Sequence, residues 1–415
     1  MIRINRYCLS NGLRLIHHQD KETQMVALNL LYDVGSKDEN PDCTGFAHLF
    51  EHLMFGGSVN IPDFDTPLQK AGGENNAWTS NDITNYYSVV PRQNVETAFW
   101  LESDRMLGLD FSEKSLSVQK QVVIEEFKQR NLNQPYGDIP LLMRPLAYKV
   151  HPYRWPTIGK RVEHIEQVKL EDVKSFFYKH YAPNNAILAV TGNISFEEAV
   201  ELTEKWFGTI ERRDIEPRNL PAEPVQKSAR FQEVSRSVPL DSITKVYHMC
   251  RRMDKEYHCF DLLSDILSNG RSSRLFQRLV MDRKLFADID ASITGDIDAG
   301  LFMIKGKVNK GISLEEADRA IVEELRRLGE NEVSAYELQK VVNKFESNDL
   351  FSNINYLNKA TNLAYYELLD KAENIDSEIE KYKGITSRML KEVAERAFVE
   401  ENSSTLYYRA DGDLS

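Results

Sequence analysis

At 415 residues the chain has room for two domains or more, and 41% hydrophobic with 28% charged residues is the balance of an ordinary folded protein. A net charge of −12 argues against a nucleic-acid partner, because phosphate binding needs clustered Lys and Arg. No secretory signal and no apolar run of about 20 residues is visible, so a cytoplasmic protein with no membrane segment is expected.

The predicted elements alternate between strands and helices. GLRLIHH and MVALNLLYDV read as strands, and TGFAHLFEHLMFGG as a helix that Thr44 caps and Gly56–Gly57 ends. NNAWTSNDITNYYSVV reads as a further strand, followed by long helical stretches and the strand of NAILAVTGNIS. Residues 211–225, ERRDIEPRNLPAEPV, carry three prolines and seven charges and read as an extended linker. Beyond it come the strand SITKVYHMC, the helical FDLLSDILSNGRSSRLFQRLVM, the hairpin-like IDASITGDIDAGLFMIKGKV and the helix SLEEADRAIVEELRRLG. The expected fold is therefore α+β, with two tandem, similar domains at 1–210 and 226–415. Each should be a mainly antiparallel sheet with helices packed on one face.

Two groups of residues could hold a metal. Cys8, Cys43, Cys250 and Cys259 are too scattered for a disulfide framework. His248, Cys250, His258 and Cys259 follow no familiar zinc spacing. His48 and His52 are different. At i and i+4 they share one helical face, as two ligands of one ion must, inside a helix otherwise covered by Phe46, Leu49, Phe50, Leu53, Met54 and Phe55. Polar groups in so apolar a segment cost free energy unless something pairs them. Two neutral imidazoles can bind Zn²⁺, and Glu51 borders the same stripe, placed to take a proton from an attacking water.

Such a site needs a third ligand. SVQKQVVIEEFKQR is a helical run with two adjacent glutamates. Glu125 has Gln121, Val122, Lys128 and Gln129 around it, a mostly wet face. Glu126 has Val122 and Val123 one turn earlier and leans toward the core, which favours Glu126 as ligand and leaves Glu125 as a surface charge.

His48-Leu-Phe-Glu-His52, followed by a helical V-V-x-E-E run, resembles the pitrilysin-like inverzincins, which include insulin-degrading enzyme and the mitochondrial processing peptidase. LSNGLRLI, HPYRWPTIGK and YAPNNAILAVTGNIS extend the resemblance along the first half. It implies a zinc endopeptidase with one Zn²⁺ held by His48, His52 and Glu126, with Glu51 as general base, in a chain that forms half of a clam-shell. GGENNAWTSNDITNYY resembles the family's peptide-pairing edge strand and puts Asn76, Ala77 and Trp78 at the contacting positions. The resemblance departs in the second half. Val280 and Ala287 stand where an arginine and a tyrosine are expected, and neither Arg278 nor Arg283 has a tyrosine seven residues on. Gln119 stands where another glutamate is common. The chain is thus expected to be the zinc-bearing subunit of the two-subunit branch, with a related chain supplying the Arg/Tyr pair in a heterodimer. A homodimer is the alternative, and a non-catalytic peptide-binding or assembly subunit is the competing function.

Overall fold

In the computed structural model, which describes residues 2–411, the chain forms two compact units, each built on one sheet. The first sheet contains β1 (Asn5–Cys8), β2 (Arg14–Gln19), β3 (Met25–Tyr32), β4 (Glu74–Thr79), β5 (Thr84–Pro91) and β6 (Ala186–Gly192), in the order β1-β2-β6-β3-β5-β4. The second contains β7 (Arg230–Arg236), β8 (Ser242–His248), β9 (Phe286–Ile293), β10 (Leu301–Val308) and β11 (Ser403–Ala410), in the order β7-β11-β8-β10-β9. Without β1 the two orders are the same. β2 pairs β6 in parallel as β7 pairs β11, and the remaining pairs in both sheets are antiparallel. The two domains are two versions of one topology.

The run NNAWTSNDITNYYSVV is two strands rather than one. Its centre turns at Asn81–Asp82, a polar pair that suits a tight turn, and Ser80 N donates to Ile83 O at 2.8 Å across it. FDLLSDILSNGRSSRLFQRLVM is likewise interrupted. Its helix stops at Ser268, and a π-helical turn covers Phe276–Asp282. The predicted hairpin is β9–β10.

MVALNLLY reads as an almost unbroken apolar run because both of its faces are covered. Val26, Leu28, Leu30 and Tyr32 join the core beneath the site helices. Ala27 and Leu31 pack on the opposite face against the helix Tyr356–Leu369, through Ala360, Leu363 and Ala364. One polar cluster interrupts that second layer: Asn29 and Asn85 exchange reciprocal 2.8 Å hydrogen bonds, and Thr361 Oγ1 donates to Asn29 Oδ1 at 3.0 Å.

The units therefore differ from contiguous halves. The first comprises residues 1–127, 155–220 and 349–378, and the second 128–154, 221–348 and 379–415. Each sheet borrows the helix on its second face from the other half of the chain. In the second unit that helix is Ile139–Ala147, packed on β7, β8 and β11. Amphipathic periodicity says that such a helix is buried, but not against which sheet.

Candidate metal centre

The histidine helix spans Phe46–Leu53, with Phe46, Leu49, Phe50 and Leu53 buried. Phe50 stacks on Tyr181 with ring centroids 4.6 Å apart, and both Phe46 and Phe50 meet Phe176. This apolar bed fixes the helix's rotation about its axis and leaves His48, Glu51 and His52 on the remaining, half-buried stripe.

The helix is not capped by Thr44 as the sequence suggested. The capping position is Gly45, in the left-handed conformation at φ 88°, where a Cβ would lie 2.7 Å from Ile158 O. Thr44 points elsewhere: its backbone N–H donates to His164 Nδ1, and its hydroxyl accepts from Lys160 N. The orphan amides at the helix start go instead to Glu39, six residues before Gly45. Its carboxylate accepts from Gly45 N at 3.0 Å, Ala47 N at 2.9 Å and Trp155 Nε1 at 3.0 Å. Burial pushes the Glu39 carboxyl up to about 8, against three donors that all favour its anion. Nothing in the local sequence marks Glu39, because a loop and a distant tryptophan put it there.

At the other end, Gly57 takes a positive φ of 108°. Gly56 is where the second site helix, Glu113–Phe127, comes close. A Cβ there would sit 2.6 Å from Ser115 Oγ. Gln119 lies half-buried on this second helix.

Glu126, on its last turn, is half-buried, whereas Glu125 is exposed. Glu126 Oε2 lies 3.6 Å from His48 Nε2 and 3.3 Å from His52 Nε2. The three donor atoms all fall within 4.8 Å of one another, and this is the one such cluster found among the described residues. Donors about 2.0–2.2 Å from a tetrahedral zinc ion stand about 3.3–3.6 Å apart, so the two nitrogen-to-oxygen spacings fit an ion of that size. Two imidazoles and a carboxylate are also a donor set that such an ion accepts while keeping a position open. Glu51 stands outside that set. Its Oε2 accepts from Thr79 Oγ1 at 2.6 Å.

Thr79 ends β4, and β4 is the last strand of its sheet. Asn76 and Trp78 are exposed on it, Trp78 at 36%, and Ala77 is half-buried against the core. Sequence reasoning missed Thr79. The available signal was alternation, which puts Thr79 on the same face as Ala77.

The second histidine–cysteine group does not gather. His248 Nε2 bonds Ala147 O at 3.0 Å, and the His258 ring packs edge-on to Tyr382. Burial pushes the thiols of Cys250 and Cys259 up, to about 12 and 11. Val280 is half-buried in the π-helical turn, packed on the second core, and Ala287 is exposed on β9. The neighbouring arginines are engaged with one helix: Arg278 with Glu324 at 2.5 Å and Arg283 with Glu323 at 3.0 Å.

Comparison with known proteins gives the family. A family model for insulinase (peptidase family M16) matches residues 14–150, which contain the whole donor set, and one for the peptidase M16 inactive domain matches residues 167–345. The chain belongs to peptidase family M16. Within M16 it is 29% identical over 409 residues to the zinc protease PqqE of Helicobacter pylori, covering 97% of this chain and 91% of that one. It is 24% identical to the uncharacterized zinc protease YmxG of Bacillus subtilis, covering 97% and 98%. The crystal structure of a protease from Helicobacter pylori superposes with a TM-score of 0.92 at 28% identity, over 99% of this chain and all 100% of that one. Among the described residues no helix is long and apolar enough to cross a membrane.

Proposed function

We propose that this M16 chain is a zinc-dependent endopeptidase that hydrolyses extended peptides or unfolded segments. The observation that carries the reading is one constellation: three donor atoms at ion-binding spacing, with a separate glutamate held beside them from an edge strand. His48, His52 and Glu126 hold the ion, and their half-burial limits competing water. Zinc bound there would supply Lewis acidity and make water a better nucleophile near neutral pH. Glu51 takes the proton from the attacking water and returns it to the leaving amine. β4 receives the peptide as an added strand near Asn76, Ala77 and Trp78, so recognition runs largely through main-chain groups and side-chain preference is weak.

Val280 and Ala287 favour a second component to this reading. A related chain supplies the arginine and tyrosine that would steady the tetrahedral intermediate, a contribution worth a few kcal/mol for one donor. The same two residues are what support the competing role of a zinc-bearing subunit that captures peptides without cutting them.

Metal analysis, together with cleavage of a peptide library by wild type and by Glu51→Gln, separates these cases. Turnover by wild type and none by Glu51→Gln, with equal zinc content, is the expected result. Zinc without cleavage, with and without any chain that co-purifies under native conditions, would favour capture. Cleavage by Glu51→Gln at the wild-type rate overturns the assigned base.

A further inference from the structure

The hairpin β4–β5 gives Thr79 two faces. Antiparallel partners alternate between pairs that exchange main-chain hydrogen bonds and pairs whose N–H and C=O point away. The bond from Ser80 N to Ile83 O sets that alternation from the turn. Counting back along the register, Trp78/Asn85 and Asn76/Tyr87 are bonded pairs, while Thr79/Thr84, Ala77/Tyr86 and Asn75/Ser88 turn their main chain outward. Ala77 agrees with this count, because its N–H is spent on Asn76 Oδ1 at 2.8 Å rather than on β5. Thr79 thus offers its main chain to the open edge while its side chain reaches the Glu51 carboxylate at 2.6 Å.

The open edge also has a defined end. Ser36 N donates to Ser80 O at 3.2 Å and Lys37 N to Asn81 O at 2.9 Å, and the buried pair of Lys37 with Asp82 at 2.8 Å anchors that crossing. A peptide strand laid along β4 therefore meets residues 36–37 immediately beyond Thr79. The last edge position it can occupy is the residue that holds the base.

We propose that Thr79 is a positioning residue that couples peptide docking to alignment of the general base. Its hydroxyl occupies one oxygen of Glu51 and aims the other at the reacting water, and strand addition at its main chain stiffens that aim. This rests on the peptidase reading given above. Threonine suits the task because its branched Cβ leaves few rotamers, so immobilising the main chain immobilises the hydroxyl. A misplacement of about 1 Å in a catalytic group can cost on the order of 100-fold in rate.

The test uses the full chain, zinc-loaded, as Thr79→Val and Thr79→Ser. Valine keeps the shape and loses the donor; serine keeps the donor. The expected result for Thr79→Val is a fall of ~10- to 100-fold in kcat with KM and zinc content near wild type, and recovery to within a few-fold in Thr79→Ser. Crystal structures of the zinc-loaded variants give a second readout, with Glu51 in one rotamer in wild type and Thr79→Ser and released from it in Thr79→Val. An unchanged kcat and an unchanged Glu51 rotamer in Thr79→Val overturn the proposal. So does a Thr79→Ser variant as impaired as Thr79→Val, since shape rather than the hydroxyl would then matter. Should wild type cut no peptide, with and without any chain that co-purifies under native conditions, the peptidase reading fails by itself, and the Glu51 rotamer still decides the role of Thr79.

Discussion

Replacing Glu39 by alanine tests whether a residue from the preceding loop, rather than the capping position itself, holds the histidine helix in place. The substitution removes the acceptor for two buried backbone donors, Gly45 N and Ala47 N. Trp155 Nε1 retains Ser36 O at 3.1 Å, so it is not orphaned. Each stranded buried N–H costs about 1–3 kcal/mol, and removing a buried, poorly solvated carboxyl recovers part of that. A net loss of about 2–4 kcal/mol is expected, or roughly 5–15 °C in the midpoint of the first unit. The measurement is calorimetric unfolding after zinc removal, so that ligation does not mask the loss, with chelator competition for zinc affinity alongside. Glu39 also fixes the sign of the pH dependence. Its carboxyl titrates higher in the folded chain, at about 8, than in the unfolded one. Its contribution is therefore whole below the ordinary carboxylate range and is lost as pH rises through about 8. Glu39→Ala should flatten that decline between the ordinary carboxylate range and about pH 8. An unchanged midpoint together with unchanged zinc affinity would refute the capping role.

Three further outcomes follow from the same geometry. Glu126→Gln should lose zinc in chelator competition while Glu125→Gln retains it; equal retention would remove Glu126 from the ligand set. Lys37→Met breaks an ion pair in which both side chains are at most 6% exposed. It should cost about 3–5 kcal/mol in denaturant unfolding, whereas a change under about 1 kcal/mol would mean that the pair does not anchor the hairpin end. Thr361→Val removes one donor to Asn29 while the reciprocal Asn29–Asn85 pair remains. A loss of about 1 kcal/mol in the same assay is expected, and a loss several times larger would show that the hydroxyl organises the whole layer.

What the sequence made legible was local. His48, Glu51 and His52 occupy a single turn and a half of one helix, so their shared stripe follows from helical spacing alone. Glu126 could be separated from Glu125 because Val123, one turn earlier, marks the inward side, whereas Val122 beside it is exposed. Topology was legible in outline, since strand and helix runs repeat across a proline-rich link. What escaped are contacts between segments that neither helical nor strand periodicity relates. Glu39 reaches the helix start through a loop, Thr79 reaches Glu51 across 28 residues, and Tyr356–Leu369 covers a sheet that begins some 350 positions earlier. Thr44 misled for the complementary reason. A residue with good capping chemistry stood at the right place, and a stronger acceptor from elsewhere took the amides.

The exchange of covering helices has a consequence for synthesis. A ribosome delivers chain from the amino end at roughly 5–20 residues per second, and domains tend to fold as they emerge. The first sheet's strands are complete once β6 is out, yet Ala27, Leu31, Ile187 and Ala189 then have no partner layer, because Ala360, Leu363 and Ala364 are not yet made. For about ten seconds or more the nascent protein carries a bare apolar face, and its earliest-made unit is finished only after residues 349–378 have been added.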